Sequence, residues 1–438
     1  MCQSCQRRGI LCEGYVLRWT GVAARGRFAG KTIPLENPSG TVSNESGPLK
    51  GVDHGYFTST DRLAKAPVIQ KFGSAGDIEE ELIQYYAHEL SSVFYLGATP
   101  TESPYLLHVI PLTREVLPLR YAVAASAACH LAARRRDDVL ETQSRELRLK
   151  AVSLLRSRLG DKKLSTDFGT LASIVMMVQL DLCSGDCVEF DTHVPAAKAL
   201  VEQHGADKTS RKFFEQRLAW LDILRSTTSS RFPTFSSAEI KSTIDQFRSD
   251  QGREWGCDVF PCPIDLFEYV ADITMLYKLQ YTSADTPSAN TVRQATRLGQ
   301  QVRNWRPSTA YSPLTAHVVN AWQSGIILYV MRLFRLPTDD IFDVECLKSA
   351  IFGYANSVPT ASRWGFSMLW PLFQAGLYMN DEQIEQREWL RQRLEMMFRA
   401  VGCRQFGIAL DTLNFVWDSH EYYNSITAGE LKGPLMLS

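Results

Sequence analysis

Apolar side chains recur at helical spacing along nearly the whole chain from residue 77 onward. In residues 77–95, Ile78, Leu82, Tyr85 and Tyr86 fall near one face of a helix, and acidic residues occupy its first turn. No later stretch alternates between apolar and polar residues as a half-buried strand would. The pattern predicts further helices at about 105–110, 117–135, 141–159, 167–182, 191–204, 210–227, 264–282, 290–304, 310–335, 340–357, 362–379, 382–401 and 405–424.

The predicted helices are joined by short turns rich in Pro, Gly and Asp, which favours an all-α fold. No strict repeat of roughly 30–40 residues is present, so we expect one large irregular helical domain of stacked helix pairs. The Ala-rich segment 117–135 is nearly all apolar and predicts a central buried helix. The longest irregular stretch, 228–263, contains three prolines and is predicted to form a loop between two halves or the rim of a groove. Four tryptophans at apolar helical positions are predicted to lie in the core: Trp364, Trp370, Trp389 and Trp417.

The composition is that of an ordinary globular protein. The chain has 438 residues, of which 45% are hydrophobic and 22% are charged. No run of about eighteen apolar residues is present, and the N-terminus lacks the apolar core of a signal peptide, so no membrane partner is expected. A reducing compartment follows, and the seven cysteines beyond residue 12 are predicted to be free thiols.

The first 76 residues differ from the helical body. Residues 32–76 are rich in Gly, Pro, Ser, Thr and Asn with little periodicity, and they predict a flexible linker. Residues 1–31 carry six basic side chains and one acidic residue, Glu13. Such an arm suits the phosphates of nucleic acid, but a solvated basic tail has the same composition. The arginine run at 134–136 is interpreted as a solvated helix end. The basic residues of the arm are Arg7, Arg8, Arg18, Arg25, Arg27 and Lys31.

Three cysteines near the N-terminus have the spacing of zinc ligands. Cys2 and Cys5 form a C-x2-C pair, and Cys12 lies within reach of the same ion. A closed tetrahedral site needs four ligands, so zinc held by these three thiolates would take water or a distant side chain as the fourth. Two alternatives follow, namely a segment that is unfolded as written and a segment that holds a single zinc ion.

The run CQSCQRRGILCEGY and the residues after it resemble the second half of the fungal six-cysteine binuclear zinc cluster and its linker. In that family two zinc ions share six thiolates, and the first half carries the basic residues that enter the DNA major groove. The resemblance makes Cys2 one of the two bridging thiolates, with its partner missing. The absence of the first half has two explanations, a mis-predicted start codon and a natural loss of the DNA-binding half.

A second resemblance covers most of the chain. Residues 170–205, which include the run CSGD and His193, are similar to the core signature of the fungal-specific transcription factor domain. That domain is the helical regulatory module that follows the zinc cluster in these regulators, and residues 213–228 resemble its next helix. Together the resemblances imply three parts: a zinc-cluster remnant with a basic arm at 1–31, the linker at 32–76 and the regulatory domain at 77–438.

The resemblance implies a fungal transcription regulator of the RNA polymerase II type that acts in the nucleus. Its expected partners are DNA, a second copy of the chain, and a small-molecule effector or coregulator protein received in an apolar cleft of the helical body. Because the base-reading half is absent, we expect weak DNA binding without sequence preference, through Arg18, Arg25, Arg27 and Lys31. The alternative is a helical scaffold or interaction protein that has lost sequence-specific DNA binding.

Other reactive side chains are interpreted as structural. Cys183, Cys187 and His193 have the chemistry of metal ligands, but a predicted helix end directly after Cys183 separates them, so packing is favoured. Cys129 and His130 lie within the Ala-rich helix and are assigned to the core. The chain has none of the usual hydrolase, metalloprotease or nucleotide-binding motifs, so we do not expect an enzyme.

Overall fold

The computed structural model describes residues 75–96, 102–187, 189–204, 209–236, 238–242, 262–280, 287–308, 310–338, 342–431 and 435–437. Within these ranges the chain forms helices and turns and contains no β-strand, which confirms the predicted all-α fold. In chain order the helices are α1 (Ala75–Tyr85), α2 (Leu117–Arg135), α3 (Asp138–Leu159), α4 (Phe168–Ser184), α5 (Phe190–His204), α6 (Thr209–Ser226), α7 (Ile264–Gln280), α8 (Ala289–Asn304), α9 (Pro313–Phe334), α10 (Val344–Ser357), α11 (Arg363–Ser367), α12 (Leu369–Gly376), α13 (Ile384–Val401), α14 (Gln405–Ser419) and α15 (Ser425–Glu430). Between α1 and α2 lie the π-helical turns Tyr86–Leu90 and Tyr105–Val109, the single turn Ser91–Val93 and the 3-10 turn Pro111–Arg114.

Helix α2 is the centre of the N-terminal part of this body, as its Ala-rich sequence predicts. Helices α1, α3 and α4 all pack along it. Its alanine side chains allow these neighbours to approach closely, because the distance between packed helices depends on side-chain size. The fully buried alanines of α2 are Ala122, Ala124, Ala125, Ala127 and Ala128.

Helices that follow one another in sequence mostly pack against one another. This holds for α2 with α3, α4 with α5, α5 with α6, α8 with α9, and α9 with α10, so the predicted stacked helix pairs are present. Helix α9 also packs on α12, where the Trp322 and Trp370 rings stack with centroids 4.9 Å apart. Trp364, Trp370 and Trp417 are buried and Trp389 packs against the core, as predicted. No helix in the described ranges is both long and apolar enough to cross a bilayer.

Two predicted helices have different boundaries in the structure. The segment predicted as one helix over 362–379 forms two, and Pro371 lies in the first turn of α12, where its missing N–H leaves no hydrogen bond unmade. The helix predicted over 405–424 ends earlier, because His420 adopts a left-handed φ of 56°. The side chain of Asn424 then caps α15, a helix that the apolar pattern did not predict.

The arginine run at the end of α2 is not the solvated helix end that the sequence suggested. The side chain of Arg134 is only 4% exposed, and its Nη1 lies 3.9 Å from Glu89 Oε2 and 3.5 Å from the Tyr85 hydroxyl oxygen. Arg136 is exposed and ends the helix with a φ of 54°. The prediction is therefore wrong for Arg134, because the residues of α1 and the turn after it cover the last turn of α2.

Candidate functional site

Helix α6 is buried on almost all sides although it carries amide and charged side chains. Gln216, Arg217, Asp222 and Arg225 are each 6% exposed or less. Burial of such groups costs free energy unless their polar atoms find partners. Helix α6 therefore places amide and charged side chains inside the core of the described body.

The C-terminal end of α6 is followed by a loop rich in hydroxyl groups, residues 227–231, and meets the last turn of α7 and helix α15. Thr227, Thr228 and Ser229 of this loop are buried. Six ionisable residues, Arg231 within the loop and five around it, influence one another through their charges. We call them the charge cluster: Asp191, Asp222, Arg225, Arg231, Lys278 and Glu430.

Lys278 holds the loop from α7. Its Nζ donates hydrogen bonds to the carbonyl oxygens of Ser229 and Arg231, both at 2.5 Å, and the residue is only 3% exposed. Burial and, to a smaller extent, the nearby cations of Arg231 and Arg225 lower the pKa of Lys278 to about 7, and the negative charge of Glu430 opposes this shift. Lys278 is therefore a buried amine whose charge changes near neutral pH.

The three carboxylates of the charge cluster already have partners. Asp191 Oδ1 lies 2.9 Å from Arg231 Nη1, and Asp222 Oδ1 lies 3.4 Å from Arg231 Nη2. Glu430 Oε1 accepts a hydrogen bond of 2.7 Å from the backbone N–H of Ser230. Burial raises the pKa of Asp222, whose Oδ2 accepts from a backbone N–H in the same region. These contacts hold Arg231 and join α15 to the loop.

Arg225 differs from the other cations of the charge cluster. Its Nε and Nη1 atoms are buried and have no hydrogen-bond partner among the described residues. Burial lowers the pKa of Arg225, and the charges of Asp191 and Glu430 oppose this shift. The guanidinium group therefore offers hydrogen-bond donors that no described residue uses.

The C-terminal segment covers the loop closely. Gly429 of α15 packs on Thr228, where an added Cβ would lie 2.2 Å from the Thr228 carbonyl oxygen. The Thr228 hydroxyl donates to the carbonyl oxygen of Leu435, and Trp370 Nε1 donates to the Thr227 hydroxyl at 3.2 Å. The loop is thus held between α12 and the segment that contains α15.

A second candidate is a cleft of about 310 Å³ at the end of α8, lined in part by Arg303, Trp305 and Arg306. Its polar side chains donate hydrogen bonds to backbone carbonyl oxygens at the C-terminal end of α8. Gln323 Nε2 donates to the carbonyl oxygens of Val302 and Trp305, and Arg306 Nη1 donates to that of Trp305 at 2.7 Å. None of the lining side chains has a buried polar atom without a partner, so the charge cluster is the stronger candidate.

Residues 81–425 match the fungal specific transcription factor domain. The chain belongs to this family. The matched region contains five members of the charge cluster, and Glu430 lies just beyond it. It is a family of transcription factor domains and not of enzymes, and it implies a function in the nucleus. No curated protein and no solved structure matches the chain.

The three cysteines and the four arm cations lie outside the described residues. In the ranges that are described, no group of three His, Cys, Asp or Glu side chains is arranged to hold a metal ion. The residues concerned are Cys2, Cys5, Cys12, Arg18, Arg25, Arg27 and Lys31.

The candidates Cys183, Cys187 and His130 within the domain are buried, and His193 is partly buried. Cys183 and Cys187 are buried, and His193 Nδ1 lies 3.5 Å from the buried carboxylate of Asp181. His130 Nδ1 lies 2.9 Å from the Tyr85 hydroxyl oxygen, and burial lowers the pKa of His130 to about 3. The six cysteines described beyond residue 12 are free thiols as predicted, and only Cys346 among them is exposed.

Replacing Lys278 with Met is expected to remove a pH dependence of stability. The pKa of Lys278 is about 7 in the folded domain and 10.5 for an unperturbed lysine. Between these values the unfolded chain binds more protons, so the free energy of unfolding rises with pH, by up to about 1.4 kcal/mol per pH unit. Urea unfolding at several pH values measures this slope. Lys278→Met should flatten it, whereas Lys150→Met, at an exposed position, should not; equal slopes in both variants would refute the assignment.

Proposed function

We propose that this chain regulates transcription by RNA polymerase II in a fungal nucleus and that its helical body is the regulatory module. The observation that carries the proposal is the family match over 81–425. The basic arm and the half zinc cluster ahead of it support a place in the zinc-cluster group of these regulators. In this proposal the body receives an effector or coregulator, and a second copy of the chain is a further partner.

A reporter assay tests the regulatory role. The full chain is fused to an unrelated DNA-binding domain and expressed in a fungal cell with a reporter gene that carries the matching site. We expect reporter output to differ from that of the DNA-binding domain alone. A fusion with Trp370→Ala, which disrupts the core, should lose the effect at equal protein level. No difference in output between the intact fusion and the DNA-binding domain alone would favour the helical scaffold instead.

DNA binding by residues 1–31 is proposed to be weak and insensitive to sequence, because the cations of this arm suit phosphate contacts, which carry no sequence information. Replacing Arg18, Arg25, Arg27 and Lys31 together with Gln should weaken binding and reduce the slope of log K against log salt by about 0.9 per lost contact. The matched control replaces four exposed cations of the body, Lys150, Arg156, Arg293 and Arg297, and should change neither. Nanomolar, sequence-selective binding by the unaltered chain would contradict the proposal.

Zinc is proposed only as a partial cofactor. Cys2, Cys5 and Cys12 supply soft thiolate ligands that suit zinc, but three thiolates are one short of a closed structural site. Metal analysis of the purified chain, with Cys5→Ser as the control, is expected to give at most one zinc ion, lost in the variant. Two ions per chain would show that further ligands complete a binuclear cluster.

A further inference from the structure

We propose that the charge cluster is a binding site for a small oxyanion, the carboxylate or phosphate group of a diffusible metabolite, with Arg225 as its anchor. Anion binding by the helical body goes beyond the proposed regulatory role and does not depend on DNA binding or zinc.

Arg225 is the side chain on which the proposal rests. The residue is 6% exposed, and its Nε and Nη1 atoms are buried without hydrogen-bond partners in the part of the chain that the structure describes. A buried charge is costly unless it is paired and hydrogen-bonded, and arginine is well suited to carboxylate and phosphate oxygens. An oxyanion beside Arg225 would therefore satisfy donors that the folded chain leaves unused.

The charges around Arg225 are balanced, but none of the carboxylates contacts it directly. The cations of Arg231 and Lys278 repel Arg225, and the negative charges of Asp191 and Glu430 oppose this repulsion. The direct contacts of the carboxylates go elsewhere, because Asp191 and Asp222 pair with Arg231 and Glu430 accepts from a backbone N–H. A bound anion would give the Arg225 guanidinium a direct partner in a region of low dielectric.

The charge cluster lies close to the surface. Ser230 and Glu430 are exposed, and the side chain of Asp191 is 48% exposed. In this proposal the anion approaches Arg225 from this side, and the core around α2 and α9 stays closed. The effector site of the domain is then at the junction of α6, α7 and α15 and not in an apolar cleft.

Because of Lys278, anion binding at this site should depend on pH, whereas a nonspecific ion effect should not. The charged groups that face its Nζ are Glu430 from α15, Arg231 from the loop, and Arg225 and Asp222 from α6. Protonation of Lys278 adds a positive charge near pH 7, so an anion should bind more tightly below this pH than above it. The anion should in turn raise the pKa of Lys278, since the two equilibria are linked.

The test uses sulfate, whose charge stays constant between about pH 6 and about pH 8.5. Thermal unfolding of the full chain is followed as sulfate replaces chloride at constant ionic strength. We expect a saturable rise in Tm that is larger at the lower pH. In Arg225→Gln the apparent affinity should fall about thirtyfold or more, the usual loss when one partner of a buried charged pair is truncated. Arg399→Gln, at an exposed position of α13, is the matched control.

Two further variants distinguish a loss of anion binding from a folding defect in Arg225→Gln. Arg225→Lys keeps the positive charge and should retain part of the affinity, and Lys278→Met should bind sulfate equally at both pH values. Sulfate raises the Tm of many proteins by being excluded from their surfaces. An equal rise in the unaltered chain and in correctly folded Arg225→Gln and Arg225→Lys would therefore show an adventitious ion effect only and overturn the proposal.

Calorimetric titration separates the two sources of the oxyanion. Inorganic phosphate and malonate are titrated into the chain at the lower pH, with Arg225→Gln in parallel. Saturable heat with either probe that is lost in the variant supports the site and identifies its preferred group. Heat that is unchanged in the variant, or absent for phosphate, malonate and sulfate alike, overturns it. The reporter assay is scored independently, so loss of anion binding and loss of regulation remain distinguishable.

Discussion

Trp370→Ala is expected to lower the free energy of unfolding by roughly 3–5 kcal/mol. Trp370 has no exposed surface, stacks in parallel on Trp322, and meets Tyr329 edge-on with ring centroids 5.4 Å apart. Its Nε1 also donates to the Thr227 hydroxyl, so the indole ring joins α9, α12 and the loop after α6. Removing it leaves a large cavity between three elements that cannot all close onto it.

Urea unfolding followed by circular dichroism measures this loss. Trp389→Ala is the matched control, because Trp389 is only partly buried and has a single ring neighbour, Phe352, at 5.0 Å. We expect the control to lose less than half as much stability. Similar losses in the two variants would show that the Trp322–Trp370 stack is not a principal contact of the core.

Gly429→Ala is expected to release α15 from the loop at 227–231 and to destabilise the domain by roughly 1–3 kcal/mol or more. The new Cβ would lie 2.2 Å from the Thr228 carbonyl oxygen and 2.8 Å from its carbonyl carbon. Because these are backbone atoms, no side-chain rotation can make room, and the helix itself must move. Hydrogen exchange in residues 425–431 and Tm measure the effect.

Gly353→Ala provides the opposite expectation in the same chain. Gly353 lies within α10, and an added Cβ there meets nothing within 4 Å. Alanine should therefore stabilise this helix by roughly 0.5–1 kcal/mol, because glycine is a poor residue in a helix interior. If Gly429→Ala and Gly353→Ala change the free energy of unfolding in the same direction, close packing of α15 on Thr228 does not explain the effect of Gly429→Ala.

The helices were largely predictable because a helix that buries one face carries apolar residues at a regular spacing in the sequence. Helix α2 shows this best, since its Ala-rich run predicted both its bounds and its central place. The pattern missed the break between α11 and α12 and the end of α14 at His420, because both depend on the backbone conformation of single residues. Periodicity also predicted no helix at α15, which is only six residues long.

The charge cluster could not be predicted, because its members are separated by up to about half of the chain and join only through tertiary packing. The one local signal was the presence of Arg217, Asp222 and Arg225 among the apolar residues of α6. Periodicity assigns such residues to a solvated face. In the structure α5, α7 and other neighbours cover that face, so the same residues became the candidate site.

The order in which the chain is synthesised has a consequence for this site. Ser230 and Glu430 are joined by a hydrogen bond yet stand 200 residues apart, so α6 and its loop leave the ribosome long before α15 does. Until then the backbone N–H of Ser230 lacks its Glu430 acceptor, and the Thr228 hydroxyl lacks the carbonyl oxygen of Leu435. The contacts of the charge cluster are therefore completed late in synthesis, after the helices around α2 have had time to assemble. A product shortened before Gly429 would keep most of its core but present an open loop to solvent and to chaperones.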